Sequence, residues 1–177
     1  MPTRSRPPNP PGLQPYNKPQ PWGMVGDMVI NVALDGDEQM WANVAPGIWS
    51  RPLMLNVSAG YYVHLLKVRR AGILQRHRHS GSVHAWVIRG SWYYLEHDWI
   101  AQEGGYVFEP PGETHTLVVP EDCSEMITLF TVHGSLMYVD PEGNATGYDD
   151  VFTRIERYRT HFESIGLGAD YVRRFMR

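Results

Sequence analysis

The sequence predicts an all-β domain, a sandwich or barrel, preceded by a proline-rich arm and closed by a helix. Three observations lead there. Short β-branched and aromatic runs follow one another from Met28 onward, and glycine- or proline-centred turns separate them. Apolar spacing of the helical kind is confined to the C-terminal part. Many short strands with frequent turn signals favour a sandwich or barrel over alternating α/β units.

Eight of the fourteen prolines fall between Pro2 and Pro21. Such a stretch has few donors for a ladder and prefers extended polyproline geometry. Residues 1–25 are therefore read as an arm outside the domain at 26–177. Composition does not separate a disordered tail from an arm laid across a neighbouring subunit and anchored by Tyr16 and Trp22. The candidate strands are Met28–Leu34, Leu53–Val57, Tyr61–Val68, Val83–Ile88, Trp92–His97, Tyr106–Glu109, His115–Val119, Met126–Val132 and Leu136–Val139. Gly60, Gly72, Gly90, Gly104-Gly105, Pro110-Pro111-Gly112 and His133-Gly134 punctuate them. Over 149–165, Val151, Phe152, Ile155, Tyr158 and Phe162 recur at helical spacing, and Gly166 and Gly168 end the segment.

Charge and cysteine content exclude several classes. A net charge of −3, with basic residues only in short scattered clusters, gives no footprint for nucleic acid or anionic lipid. Cys123 is the sole cysteine, so no intrachain disulfide can form. The N-terminus lacks the apolar run of a signal peptide and no segment has the length of a membrane span, so the expected location is cytoplasmic.

Chemistry concentrates on three histidines. His77 and His79 form an H-x-H pair, and on a strand residues i and i+2 share a face. His115 follows the Pro110-Pro111-Gly112 turn, where a hairpin-rich segment can return beside the pair. Three imidazoles suit Zn, Cu, Fe or Ni, so ligand type alone does not choose the metal.

Gly72-x4-His77-x-His79-x3-Val83-x6-Gly90 resembles the first cupin motif. Gly104-x5-Pro110-x-Gly112-x2-His115 resembles the second, with Val119 where asparagine is frequent. Thirteen residues separate the two. The resemblance implies a single cupin barrel, a double-stranded β-helix or jelly roll. One position departs from the pattern: Val83 stands where many cupins have a glutamate ligand, and Val cannot coordinate. His84 is adjacent but points to the opposite face on a regular strand. The expectation is a neutral three-His site, with His84 entering only through a bulge.

The strings DEQMWANVAPGIWSRPLMLNVSAGYYVHLLKV, RHRHSGSVHAWVIRGSWYYLEHDW and FEPPGETHTL resemble the 2,4'-dihydroxyacetophenone dioxygenases. That resemblance implies one Fe(II) per subunit and cleavage of an aryl hydroxymethyl ketone by O2, giving 4-hydroxybenzoate and formate. Three neutral ligands would leave the metal its full charge, favouring a substrate that loses a proton to become an enediolate. The alternatives are a three-His oxygenase acting on a diketone or thiol, or a metal-binding cupin sensor without catalysis. The expected partners are a small aromatic ketone and O2, with assembly as a homo-oligomer, dimer or tetramer.

Secondary roles are assigned as follows. Glu109 is read as a carboxylate behind the ligands, accepting a hydrogen bond from one imidazole, or else as a rim residue. Tyr93 or Glu96 is expected to face the pocket, binding a phenol or serving as base, although strand parity admits only one of them. Trp86 and Val83 are placed on the pocket wall. His64 reads as a satisfied core histidine and His97 as a strand-end residue.

Overall fold

The computed structural model describes residues 6–31, 33, 34 and 36–177. The chain divides into two units, Met1–Gly36 and Asp37–Arg177. In the first, the described residues form neither helix nor strand, and Leu13, Tyr16 and Trp22 are exposed. The strand expected at Met28–Leu34 is absent among its described residues. Val29 there is exposed, and a strand exists only through pairing, which alternation alone cannot supply.

The second unit is a jelly roll of two six-stranded antiparallel sheets. Twelve strands build it: β1 (Ala42–Ala45), β2 (Ile48–Asn56), β3 (Tyr61–Val68), β4 (Gly72–His79), β5 (Val83–Arg89), β6 (Ser91–Tyr94), β7 (Ala101–Gln102), β8 (Tyr106–Glu109), β9 (Thr114–Val119), β10 (Met126–His133), β11 (Leu136–Val139) and β12 (Ala145–Asp149). One sheet runs β1-β2-β3-β10-β5-β8 and the other β12-β11-β4-β9-β6-β7. Both edges of the functional strand β4 are therefore paired, with β9 on one side and β11 on the other.

Alternation sets the inner face. In β5, Val83, Ala85 and Val87 are buried while Trp86 is exposed. In β4 the period is broken once: Ile73 pairs with Val118 and Gln75 with Leu117, so Leu74 is an extra residue. Beyond that bulge the alternation resumes and buries His77 and His79 on either side of exposed Arg78. The strand expected at Trp92–His97 stops at Tyr94, because the chain turns there, with His97 N–H donating to the Tyr94 carbonyl at 3.1 Å. Gly90 closes the first motif at φ +72°, where an added Cβ would collide with the Glu125 carbonyl oxygen.

The helix α1 (Val151–Ser164) starts at a capping box: Asp150 accepts from the Phe152 and Thr153 amides, and Thr153 reaches back to the Asp150 amide. Such a cap contributes about 1 kcal/mol. Its buried stripe is Val151, Arg154, Ile155, Tyr158 and Phe162, and Phe152 lies outside it, exposed. A charged residue thus occupies an apolar stripe. A short 3-10 helix, Ala169–Phe175, packs on α1, and beyond it Arg177 N–H donates to the Leu55 carbonyl at 3.0 Å. No helix among the described residues is long and apolar enough to cross a membrane.

Candidate metal centre

Strand pairing assembles four ligand-type side chains. His77 stands opposite His115 in the β4/β9 register, and His79 lies two residues along the same face. His79 Nε2 is 3.1 Å from His77 Nε2 and 3.0 Å from His115 Nε2. Glu109 arrives from the other sheet: it pairs with Val83 in the β5/β8 register, so its side chain leaves the ladder beside the valine. Its Oε2 lies 3.0 Å from His79 Nε2 and 3.6 Å from His115 Nε2. The four residues are buried, with ligand atoms within 4.8 Å of one another.

This corrects the expected role of Glu109. A carboxylate behind the ligands would meet the outer ring nitrogens, yet the Nδ1 atoms of His77, His79 and His115 have no hydrogen-bond partner among the described residues. Glu109 instead joins the inward-facing Nε2 atoms. The side chains brought together that could hold a metal are three imidazoles and one carboxylate, where three imidazoles alone were expected. The carboxylate that the motif lacks at Val83 is supplied by the residue paired across from it.

The electrostatics fit a cation. Burial, and then the neighbouring rings of His115 and His79, hold His77 well below its ordinary pKa. Burial, followed by His79, takes His115 down to about 3. Both rings are neutral near pH 7 and carry a free lone pair. His79 Nε2 has three polar neighbours at 3.0–3.1 Å, more than a single N–H can serve. Glu109 Oε1 is buried and without a hydrogen-bond partner among the described residues. A divalent metal would satisfy the converging lone pairs and neutralise the buried carboxylate together.

Tyr94 braces the site. Its hydroxyl donates to Glu109 Oε2 at 2.9 Å, and its ring stacks on His115 with centroids 3.7 Å apart. Burial, then Glu109, pushes its pKa well above the usual phenol range, so it stays a donor. Outside the cluster, His97 Nε2 and Glu113 Oε1 are 3.0 Å apart, and Glu113 Oε2 comes within 4.0 Å of His115 Nδ1.

Beside the cluster is a cavity of about 140 Å³, lined by apolar side chains such as Leu66, Leu117 and Phe130, with polar groups from Gln75, Tyr138 and Arg154. Val83 lines it and Trp86 does not. Trp86 is three residues from Val83, hence on the opposite face, where it is 46% exposed and near the Tyr106 ring. His84 is also outside, with Nδ1 2.7 Å from the Tyr106 hydroxyl, so it is no ligand. The cavity-facing residue of β6 is Tyr94 rather than Tyr93, because the buried parity of the strand is that of Trp92 and Tyr94. Glu96 lies past the strand end and accepts from the Thr116 amide at 2.7 Å and the Thr116 hydroxyl at 2.8 Å. It fixes the strand that carries His115 and does not line the cavity. Sequence reasoning missed Tyr94, Tyr138 and Arg154; a charged residue at buried-stripe spacing in α1 was the readable sign of the last.

Residues 30–137 match the family described as the ChrR cupin-like domain. Among solved structures, an RmlC-like cupin protein from Ralstonia eutropha JMP134 is 28% identical with a TM-score of 0.65, over 70% of this chain and 82% of that one. A protein of unknown function with a cupin-like fold from the same organism is 25% identical with a TM-score of 0.64, over 67% and 75% of the two chains. An acetylacetone dioxygenase from Acinetobacter johnsonii has a TM-score of 0.61 at 16% identity, over 84% and 99%, a likeness of fold. No curated protein sequence matches significantly.

Proposed function

The chain belongs to the ChrR cupin-like domain family, and on that premise we propose that it is an Fe(II)-dependent dioxygenase acting on a small aryl ketone. The substrate is an aryl hydroxymethyl ketone such as 2,4'-dihydroxyacetophenone. Cleavage between the carbonyl and hydroxymethyl carbons consumes one O2 and yields 4-hydroxybenzoate and formate, with every atom of O2 in the products. The observation that carries this reading is the buried His77, His79, His115 and Glu109 cluster beside an apolar cavity. At about 140 Å³ that cavity is close to the size that holds one benzene ring. The acetylacetone dioxygenase of like fold acts on a small ketone, which is compatible with this reading.

His77, His79, His115 and Glu109 would hold the metal, which supplies Lewis acidity toward a chelating ketone and electrons for O2. The protein's own share is positioning and proton handling. Tyr94 fixes Glu109 Oε2, leaving Oε1 unpartnered and able to accept the proton that the hydroxymethyl carbon loses on enolisation. Carrying that proton, Glu109 would no longer be anionic, so the side chains that would hold the metal would form a neutral set. The apolar wall excludes water and orients the ring.

Anaerobic reconstitution with Fe(II), followed by O2-electrode assays on hydroxymethyl ketones, diketones and thiols, tests the proposal. The expected result is one O2 consumed per hydroxymethyl ketone, with labelled oxygen from O2 in both acids. Iron bound at the cluster without O2 uptake on any of the panel overturns the catalytic reading.

A further inference from the structure

The cavity wall carries a second charged group. Arg154 is 5% exposed and lines the cavity from α1. Its Nη2 is 3.0 Å from Asp149 Oδ2 and its Nη1 donates weakly to Ser50 Oγ at 3.4 Å. Its Nε is buried with no hydrogen-bond partner among the described residues. Asp149, 2% exposed, is shared: Arg157 Nη2 donates to its Oδ1 at 3.0 Å and the Tyr138 hydroxyl donates to its Oδ2 at 2.7 Å. Two guanidinium groups and one carboxylate leave this corner a net positive charge. His64, an imidazole on this wall outside the metal cluster, is neutral, held well below its ordinary pKa by burial and then by Arg154 and Arg157.

A buried cation with an unused donor at a cavity wall calls for an acceptor. The topology sets this corner beside the ligand strand. Tyr138 is opposite His77 in the β4/β11 register, and its hydroxyl meets the carboxylate that holds Arg154. One aromatic side chain therefore bridges the ligand strand and the Arg154–Asp149 pair.

We propose that Arg154 is the recognition group for an oxygen acceptor, a phenol or phenolate, carried by the substrate's ring at the end remote from the metal cluster. This rests on the reading of the cavity as the substrate pocket. It goes beyond that reading by assigning ring-substituent specificity to a residue of the C-terminal helix. A ring held in the cavity, which His77, His79, Glu109 and Arg154 all line, would present its far oxygen to the guanidinium. Charge-assisted hydrogen bonds are roughly twice as strong as neutral ones, which favours the hydroxylated ring over the bare one.

The test uses two probes that lack the side-chain hydroxyl and so cannot be cleaved: 4'-hydroxyacetophenone and acetophenone. Their binding to the full chain is measured by calorimetry with and without Fe(II), under anaerobic conditions. Wild type should prefer the hydroxylated probe by about tenfold or more. Arg154→Gln should bring the ratio of dissociation constants close to one while leaving acetophenone affinity within about twofold. Asp149 keeps its Arg157 partner in that variant, and circular dichroism checks the fold. Should Arg154→Gln fail to fold, Arg154→Lys, which keeps the charge with a different donor geometry, should reduce the ratio at least severalfold. A preference that survives in either folded variant, a wild type without preference, or no binding of either probe overturns the proposal. Failure of the oxygenase reading shows separately, as absent O2 uptake with the Arg154-dependent preference intact.

Discussion

Glu109 bears on the chemistry of the centre more than any other residue, since it adds a carboxylate to three imidazoles. Glu109→Gln keeps the size of the side chain and loses the charge. Iron retained after dialysis should fall at least about tenfold, and unchanged retention would remove the carboxylate from the ligand set. His77→Ala, His79→Ala and His115→Ala should each lose the metal, whereas His84→Ala, altering an outward residue, should retain it. His64 makes a separate prediction. Its folded pKa lies well below 6.5, mainly through burial, so the unfolded chain binds a proton there that the native chain does not. Stability contributed by the neutral ring is complete above the unfolded pKa and declines as pH falls below about 6.5, by up to roughly 1.4 kcal/mol per pH unit. Denaturant titrations from pH 7 to 5 should show a shallower slope in His64→Gln; an unchanged slope would mean that the ring is already charged when folded.

At the scale of strands, the carboxylate's position is a property of a pair. Val83 and Glu109 face each other across β5 and β8, so the charge can in principle be carried by either partner. Glu109→Val should release metal, and the exchange Val83→Glu with Glu109→Val should recover a measurable part of the binding. Equal loss in the single and double variants would show that only the β8 side can reach the cluster. This pairing also explains what could be read in advance. The H-x-H pair and the turn before His115 are local patterns, governed by the two-residue period and by Pro-Gly chemistry. The role of Glu109 depends on register between strands about twenty residues apart in sequence, which no local pattern encodes. Trp86 was misplaced against its own parity, being an odd number of residues from Val83. Tyr93 lies off the cavity because the buried parity of β6 is that of Trp92 and Tyr94, and Glu96 because the strand ends at Tyr94, where the turn signal is weak.

At the scale of the whole molecule, a metal held at the cluster would couple to folding through strands of both sheets. β4 and β9 lie in one sheet and β8 in the other, so a metal held by all three crosslinks the jelly roll. Metal at a hundred times its dissociation constant stabilises the native state by about 2.7 kcal/mol. For a chain of this size that corresponds to a rise in Tm of about 5–10 °C. Thermal melts with Fe(II) and with excess chelator, under anaerobic conditions, should differ by that amount. Coincident melts would mean that the cluster does not bind metal in the folded protein. The Pro-rich unit should contribute little to the transition, since its described residues form neither helix nor strand.

The extra residue in β4 also bears on how the chain tolerates changes of length. Ile73 and Gln75 pair with the consecutive residues Val118 and Leu117, so Leu74 is slack that a shorter segment could absorb. Deleting one residue between Ile73 and His77 can straighten the bulge and leave both histidines facing inward. Deleting Arg78 has no such reserve, because it brings His77 and His79 next to each other in sequence and sends one imidazole to the outer face. A scan of single-residue deletions along β4 should therefore show a tolerant stretch upstream of His77 and an abrupt loss of iron at Arg78.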